Sequence, residues 1–328
     1  MRIQESKNFE IRNDISKSQV TKKKKTKSIN MERTKFDFLY QMIWITPALA
    51  FLFIFSYYSI FIVFRNGFNS ASRPILNFEF SFINFKNVAN DASFQIALRN
   101  SLLYSVVVIP ISLTFSMTTA KLLSNVLNKK LFSFLQSLFF LPYVTSAMAI
   151  SMSFAFIFSP DNYGLINQIL LALGFDKVDW TSKSNGIILV MIYGVWRSLP
   201  FEIIMFTATF LRIDKRYYHA AAVDGVPKWK QFWKISIPRA MPMIVYMITT
   251  GIISSFKVFP LGLFGSYEGA AQANAQTVVF YIFDKVNASS TSPSYGKGGA
   301  ASIILMTIIL AITIVNKFIT NHLSKKYR

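Results

Sequence analysis

The feature that most constrains this chain is a set of long apolar runs, uncharged except for Arg197 and Glu202 in the fourth: Phe38 to Phe64, Asn100 to Ala120, Leu131 to Ser159, Gly186 to Leu211 and Gly298 to Asn316. Each is long enough to cross a bilayer's hydrocarbon, which takes about 20 helical residues. A sixth run, Pro242 to about Leu263, is interrupted by Lys257. Unpaired backbone amides are costly in lipid, so such segments must satisfy their own hydrogen bonds as helices. The expected fold is therefore an all-α membrane protein with six transmembrane helices. Composition agrees: 52% of residues are apolar, above the roughly 45–50% of soluble domains.

A net charge of +20 points either to nucleic acid or to the anionic inner leaflet, and the placement of the charges decides between them. With the N-terminus inside, the cytoplasmic segments hold 25 of the 35 Lys and Arg, the outer segments nine, and span four the remaining Arg197. Positive flanks stay cytoplasmic, so both termini are expected inside. The Lys22-Lys23-Lys24-Lys25 run lies among Ser, Thr and Asn without aromatics to stack on bases. Residues 1–36 are thus read as a disordered, solvated or lipid-touching cytoplasmic tail with no nucleic-acid partner, and 37–328 as the transmembrane domain. No short apolar core with a small-residue cleavage site precedes the first span, so no cleaved signal peptide is expected.

Cysteine is absent, and only His219 and His322 carry imidazole, which excludes thiolate metal sites and cysteine nucleophiles. There is no phosphate loop and no HExxH, so neither ATP hydrolysis nor a metal site belongs to this chain. No catalytic residues are assigned and no cofactor is expected to bind. The outer segments 65–99, with Phe78, Phe80, Phe82 and Phe85, and 160–185, around Asn162-Tyr163-Gly164, read either as a docking platform or as aromatic anchors at headgroup level.

The most informative stretch is the cytoplasmic loop 212–241. Asp214 is a plausible N-cap, Lys215 to Asp224 would make about three turns, and Gly225 suits the left-handed position beyond a helix end. Pro227 would start a second element in which Trp229, Phe232, Trp233 and Ile237 share a face, lying along the inner interface. Pro238 and Pro242 are expected to break the helix where the chain re-enters the bilayer. From spacing alone an ordinary amphipathic loop remains an equal reading.

Ala220-Ala221-x-x-Asp224-Gly225, followed by Phe232, Ile235 or Ile237, Pro238 and Pro242, resembles the EAA loop of binding-protein-dependent ABC importer permeases. FFLPY at Phe139 to Tyr143, NYGLINQIL at Asn162 to Leu170, Asp179-Trp180, and the segment from Gly265 to Phe283 extend the likeness over roughly residues 38–320. It looks closest to the first permease of maltose-type and glycerol-3-phosphate-type importers. The resemblance implies a type I permease fold in the cell membrane. It implies half of a translocation path for a sugar or glycerol-3-phosphate-like solute, and no enzyme activity in this chain. Its partners would be a second homologous permease, two copies of an ATP-binding subunit that use ATP and Mg, an extracytoplasmic solute-binding protein or lipoprotein, and membrane lipids. Ala220 and Ala221 match the small positions of the coupling helix, Asp224 and Gly225 its end. His219 stands where the family has glutamate; either the ATPase partner has changed in step or this half couples weakly.

Ionisable groups inside spans cost about 2.5–3.5 kcal/mol each on insertion scales and usually face a bundle interior or a cavity. Arg197, Glu202 and Lys257 are therefore candidates for the solute path, with Tyr143 beside them and Asn100 and Thr145 as further polar contacts. The alternative is that the cations snorkel or pair with the second permease. Arg197 and Glu202 are separated by about 140° around a helix, so they should not face each other unless Pro200 bends the chain. The rival functions are a membrane scaffold that recruits a cytoplasmic partner and a channel subunit.

Overall fold

The computed structural model describes residues 35–71, 77–287, 290 and 293–326, with side chains described only between 40 and 318 of that range. The expectations for the basic tail, its lysine run and the imidazole of His322 lie outside the described residues. Among those described, helices dominate and the only β feature is an isolated bridge between Asn69 and Phe80. The chain divides into two compact units at Ile60 and Phe61. The first contains helix Lys35–Leu52 and a single π-helical stretch, Phe53–Tyr57. Its side chains from Tyr40 onward are exposed, and aromatics four residues apart pair along it, as in Phe53 with Tyr57 at 5.0 Å. An all-round apolar, all-round exposed helix is one built to be solvated by lipid.

The second unit is organised on helices Ala92–Ser124 and Gly186–Leu211, the second and fourth spans. Gly194 makes their contact possible, because a Cβ there would collide with the ring and hydroxyl of Tyr104. Three buried clusters run along the pair. One holds Phe94, Phe256, Tyr281 and Ala301; a second Tyr104, Val190 and Tyr193; a third Leu113, Phe206 and Phe210. The last helix, Tyr295–Lys326, is tied to the fifth span where Asn316 Nδ2 donates to Thr249 Oγ1 at 2.6 Å.

Five described helices are long and apolar enough to cross a membrane: Tyr40–Gly67, Ala92–Ser124, Gly186–Leu211, Lys228–Ser255 and Tyr295–Phe318. The sixth expected span, Leu131 to Ser159, is not straight. It is a pair of helices, Lys129–Val144 and Ala147–Ile157, bent by 95°. Pro142 removes one hydrogen bond near the end of the first helix, and Thr145 and Ser146 are extended between them.

The fifth span also departs from expectation. Pro238 and Pro242 do not break it, since helix runs from Lys228 through both. A π turn, Phe232–Ser236, widens the backbone just before Pro238, so that the Ile237 amide bonds the Phe232 carbonyl. The proline ring is thereby accommodated where a regular helix would clash. The same turn shifts the register of side chains: Phe232 packs inward while Trp229 and Trp233 remain exposed, not on one common face. The span ends at Ser255, so Lys257 lies just past its terminus and does not interrupt it.

The described residues of segments 65–99 and 160–185 are folded rather than open loops. Phe68, Phe80, Phe82 and Phe85 pack ring to ring at 4.8 to 6.0 Å. Helix Ile83–Ala89 follows, its Asn84 side chain donating to the Asn69 carbonyl at 2.8 Å. In the second segment, buried Asn167 donates to the carbonyls of Ser159 and Val178 and accepts from the Val178 amide.

Candidate functional site

The loop between the fourth and fifth spans opens with Asp214, whose carboxylate accepts from the Arg216 amide at 2.9 Å and from Arg216 Nε at 2.8 Å. These bonds, the side-chain one foremost, hold the Asp214 carboxyl below the usual aspartate range. Helix Lys215–Val223 follows. It ends in a closed C-terminal motif: the Val226 amide bonds the Ala221 carbonyl at 2.9 Å and the Gly225 amide the Ala222 carbonyl at 3.1 Å. Gly225 has φ +69°, a left-handed value that glycine adopts with no Cβ penalty.

Four further contacts fix this helix and its C-terminal turn to the protein. The Tyr218 hydroxyl lies 2.8 Å from Ser236 Oγ in the π turn, with Lys121 Nζ 4.1 Å above its ring. Arg239 stacks on Tyr217 at 3.5 Å, and Gln231 Nε2 donates to the Val226 carbonyl at 2.7 Å. What remains uncovered is the opposite side: His219, Ala220, Ala222, Val223, Asp224 and Gly225 are exposed, Ala221 half so. The element is a short rigid rod offering small side chains and an imidazole to whatever lies beyond it.

Inside the helical bundle is a cavity of about 720 Å³ to which Tyr143, Arg197, Glu202 and Lys257 all contribute. These four come from the bent pair, the fourth span and the segment after the fifth. Arg197 and Glu202 both reach it without forming an ion pair, because each is engaged elsewhere. Arg197 Nη1 donates to the Pro142 carbonyl at 2.8 Å, beside the break in the bent pair, and its guanidinium lies 6.0 Å from the Tyr143 ring. Buried Glu202 accepts from Ser112 Oγ at 3.0 Å and from Ser116 Oγ at 2.9 Å, one helical turn apart on the second span. Tyr193 adds a second clasp on the break, its hydroxyl donating to the Ala147 carbonyl at 3.2 Å. Two cations, one carboxylate and several hydroxyls on apolar walls suit a hydroxyl-rich solute.

The other polar candidates lie elsewhere. Asn100 is fully buried and donates to the carbonyls of Asn274 and Gln276, which pins the segment after the fifth span onto the second. Thr145 bonds back to the Leu141 carbonyl at 3.0 Å within its own helix end. Sequence reasoning missed Ser112, Ser116 and Tyr193. The one available signal was the pair Ser112 and Ser116, spaced by four and so on one face of an otherwise apolar helix.

Residues 112–328 match the family described as the inner membrane component of binding-protein-dependent transport systems. A probable ABC transporter permease of Mycoplasma genitalium is 31% identical, covering 80% of this chain and 79% of that protein. The arabinooligosaccharides transport system permease AraP of Bacillus subtilis is also 31% identical, covering 82% and 84% respectively. In solved structures, a chain of a bacterial alginate ABC transporter in complex with an alginate pentasaccharide-bound periplasmic protein superposes with a TM-score of 0.73 at 19% identity, over 91% of this chain and 99% of that one.

Proposed function

Because this chain belongs to the family of binding-protein-dependent transport inner membrane components, and so is a multi-pass membrane transport subunit and not an enzyme, we propose that it forms half of the solute path of an ATP-driven importer and takes its drive through helix Lys215–Val223. The cavity bounded by Tyr143, Arg197, Glu202 and Lys257 is this chain's share of that path. The solute is a carbohydrate or a glycerol-3-phosphate-like polyol, a reading supported by the arabinooligosaccharide and alginate names of the similar proteins. A second homologous permease closes the other side, and a solute-binding protein or lipoprotein delivers from outside, a reading supported by the periplasmic protein in the alginate complex. Both termini lie in the cytoplasm. Two ATP-binding subunits, which use the ATP and Mg, dock beneath the membrane; this chain binds neither.

The observation that carries this reading is a helix pinned by its cap, its left-handed terminus and two tyrosines while its small side chains stay bare between two spans. Such an element transmits displacement because its backbone cannot yield locally. The test exploits the absence of native cysteine. A single-cysteine D224C chain should resist a membrane-impermeant maleimide in intact cells and react in inverted vesicles. Labelling in intact cells overturns the proposal.

A further inference from the structure

A second cleft, of about 430 Å³, lies where the fourth span ends, the Lys215–Val223 helix begins and the fifth span passes. Arg212 and Arg239 line it together with Tyr217, and Ile213, Pro242 and Met243 supply an apolar wall. Neither arginine forms an ion pair among the described residues: the one nearby carboxylate, Asp214, is taken by Arg216. Arg239 lays its face on the Tyr217 ring at 3.5 Å, which orients the guanidinium and leaves its N–H edge free for a bidentate acceptor. The same helix carries exposed Trp229 and Trp233 with Lys228, Lys230 and Lys234, the residue types that mark a headgroup region. Eleven residues separate Lys228 from Arg239, about 16 Å along the helix, so the cleft is set apart from that basic stretch.

We propose that this cleft binds the phosphate of an anionic phospholipid from the inner leaflet. Arg212 and Arg239 hold the phosphate oxygens, and Pro242 and Met243 lie against the first carbons of the acyl chains. Basic pockets between spans on the cytoplasmic side are the sites that anionic headgroups occupy. The bound lipid would brace the start of the helix through Arg239, Tyr217 and Asp214, joining membrane composition to coupling. The inference rests on the cytoplasmic placement of the loop proposed above.

The test is lipid retention by the purified full-length chain in detergent, read by native mass spectrometry against added phosphatidylglycerol or phosphatidylcholine. Micelles carry no sidedness, so failure here leaves the transport reading standing. The expected result is preferential retention of phosphatidylglycerol, falling by roughly tenfold in R212Q/R239Q and largely kept in R212K/R239K, with unchanged size-exclusion profiles. K228Q/K230Q/K234Q should leave retention intact. Equal retention of both lipids, no loss in the glutamine variant, or loss in the lysine-run variant instead overturns the proposal. Displacement of phosphatidylglycerol by low-millimolar inorganic phosphate would assign the same arginines to a free phosphate and overturn the lipid as the ligand.

Discussion

The inter-span loop and the central cavity are both polar regions of one helical bundle, and they are held in opposite ways. In the loop the backbone is fixed, by Asp214 at one end and Gly225 at the other, while side chains from His219 to Asp224 are left largely uncovered. In the cavity the backbone belongs to long spans, and the side-chain tips are fixed across helices: Arg197 on the Pro142 carbonyl, Glu202 between Ser112 and Ser116. Under the proposed function the loop passes on force, which needs a stiff frame and a free surface, and the cavity meets solute, which needs placed functional groups.

The contrast predicts that the largest effect comes from softening the loop's frame. The site of Gly225 is open, with nothing within 4 Å of an added Cβ, so substitution there costs backbone strain and no collision. A β-branched residue in the left-handed conformation costs about 1–2 kcal/mol and would release the bonds from Val226 and Gly225 to the last turn. G225V should abolish ATP-coupled uptake by the reconstituted importer while assembly survives, and G225N, which tolerates positive φ, should retain most of it. Normal uptake by G225V would remove the rigid-frame half of the comparison.

Next in size is Arg197. Its removal loses one charge-assisted hydrogen bond, about 1.5–3 kcal/mol, yet also removes an insertion cost of about 2.5–3.5 kcal/mol for a charge in a span. Stability of the R197M complex should therefore hold, while uptake falls roughly tenfold because the break in the bent pair loses its brace. Spin labels on Phe134 and Phe156 positions should show a broadened distance distribution across the break. A drop in melting temperature with unchanged uptake would make Arg197 a packing residue and not a positioning one.

Glu202 should matter less than its burial suggests. Each serine has one hydroxyl hydrogen and a second acceptor in reach, the Ile109 carbonyl for Ser112 and the Leu113 carbonyl for Ser116. E202A thus orphans no donor, and its cost should stay near 1 kcal/mol, the net value of an ordinary hydrogen bond. Thermal unfolding of the detergent-solubilised complex reads this directly, and a loss several times larger would indicate that the carboxylate organises the contact between the second and fourth spans.

The same contrast explains what could be read before the structure was in hand. The loop's helix was legible because its signals are local: a capping aspartate, a glycine past the last turn, three alanines between. The fourth span was legible from Gly186 to Leu211 because a long apolar run with only two charged residues, Arg197 and Glu202, has few other options in lipid. Two backbone events were not. The 95° break is clasped by Arg197 and Tyr193 from a distant helix, on the carbonyls of Pro142 and Ala147, and the π turn before Pro238 is a compromise between a ring clash and the packing of Phe232. Tyr143, Arg197, Glu202 and Lys257 could be nominated singly from their polarity, but that they border one cavity depends on how three segments cross.

The smallest effect expected in the loop is a dependence on pH. Arg216 holds the Asp214 carboxyl below its ordinary value, so the folded pKa is depressed relative to the unfolded one. For a depressed acid the stabilisation is present above the unfolded pKa and is lost as pH falls through the folded one. The advantage of aspartate over alanine at 214 should therefore stay level from neutral pH down to the ordinary carboxylate range, then shrink only in stronger acid as the cap to the Arg216 amide is protonated away. Because the group is exposed, screening by salt should shrink the advantage as well. Melting curves of D214A and the parent, taken across pH at two ionic strengths, check both slopes. A difference that instead disappears between pH 8 and 6 would mean that Asp214 does not set the titration of this helix, and that its free face is less independent of its frame than the geometry implies.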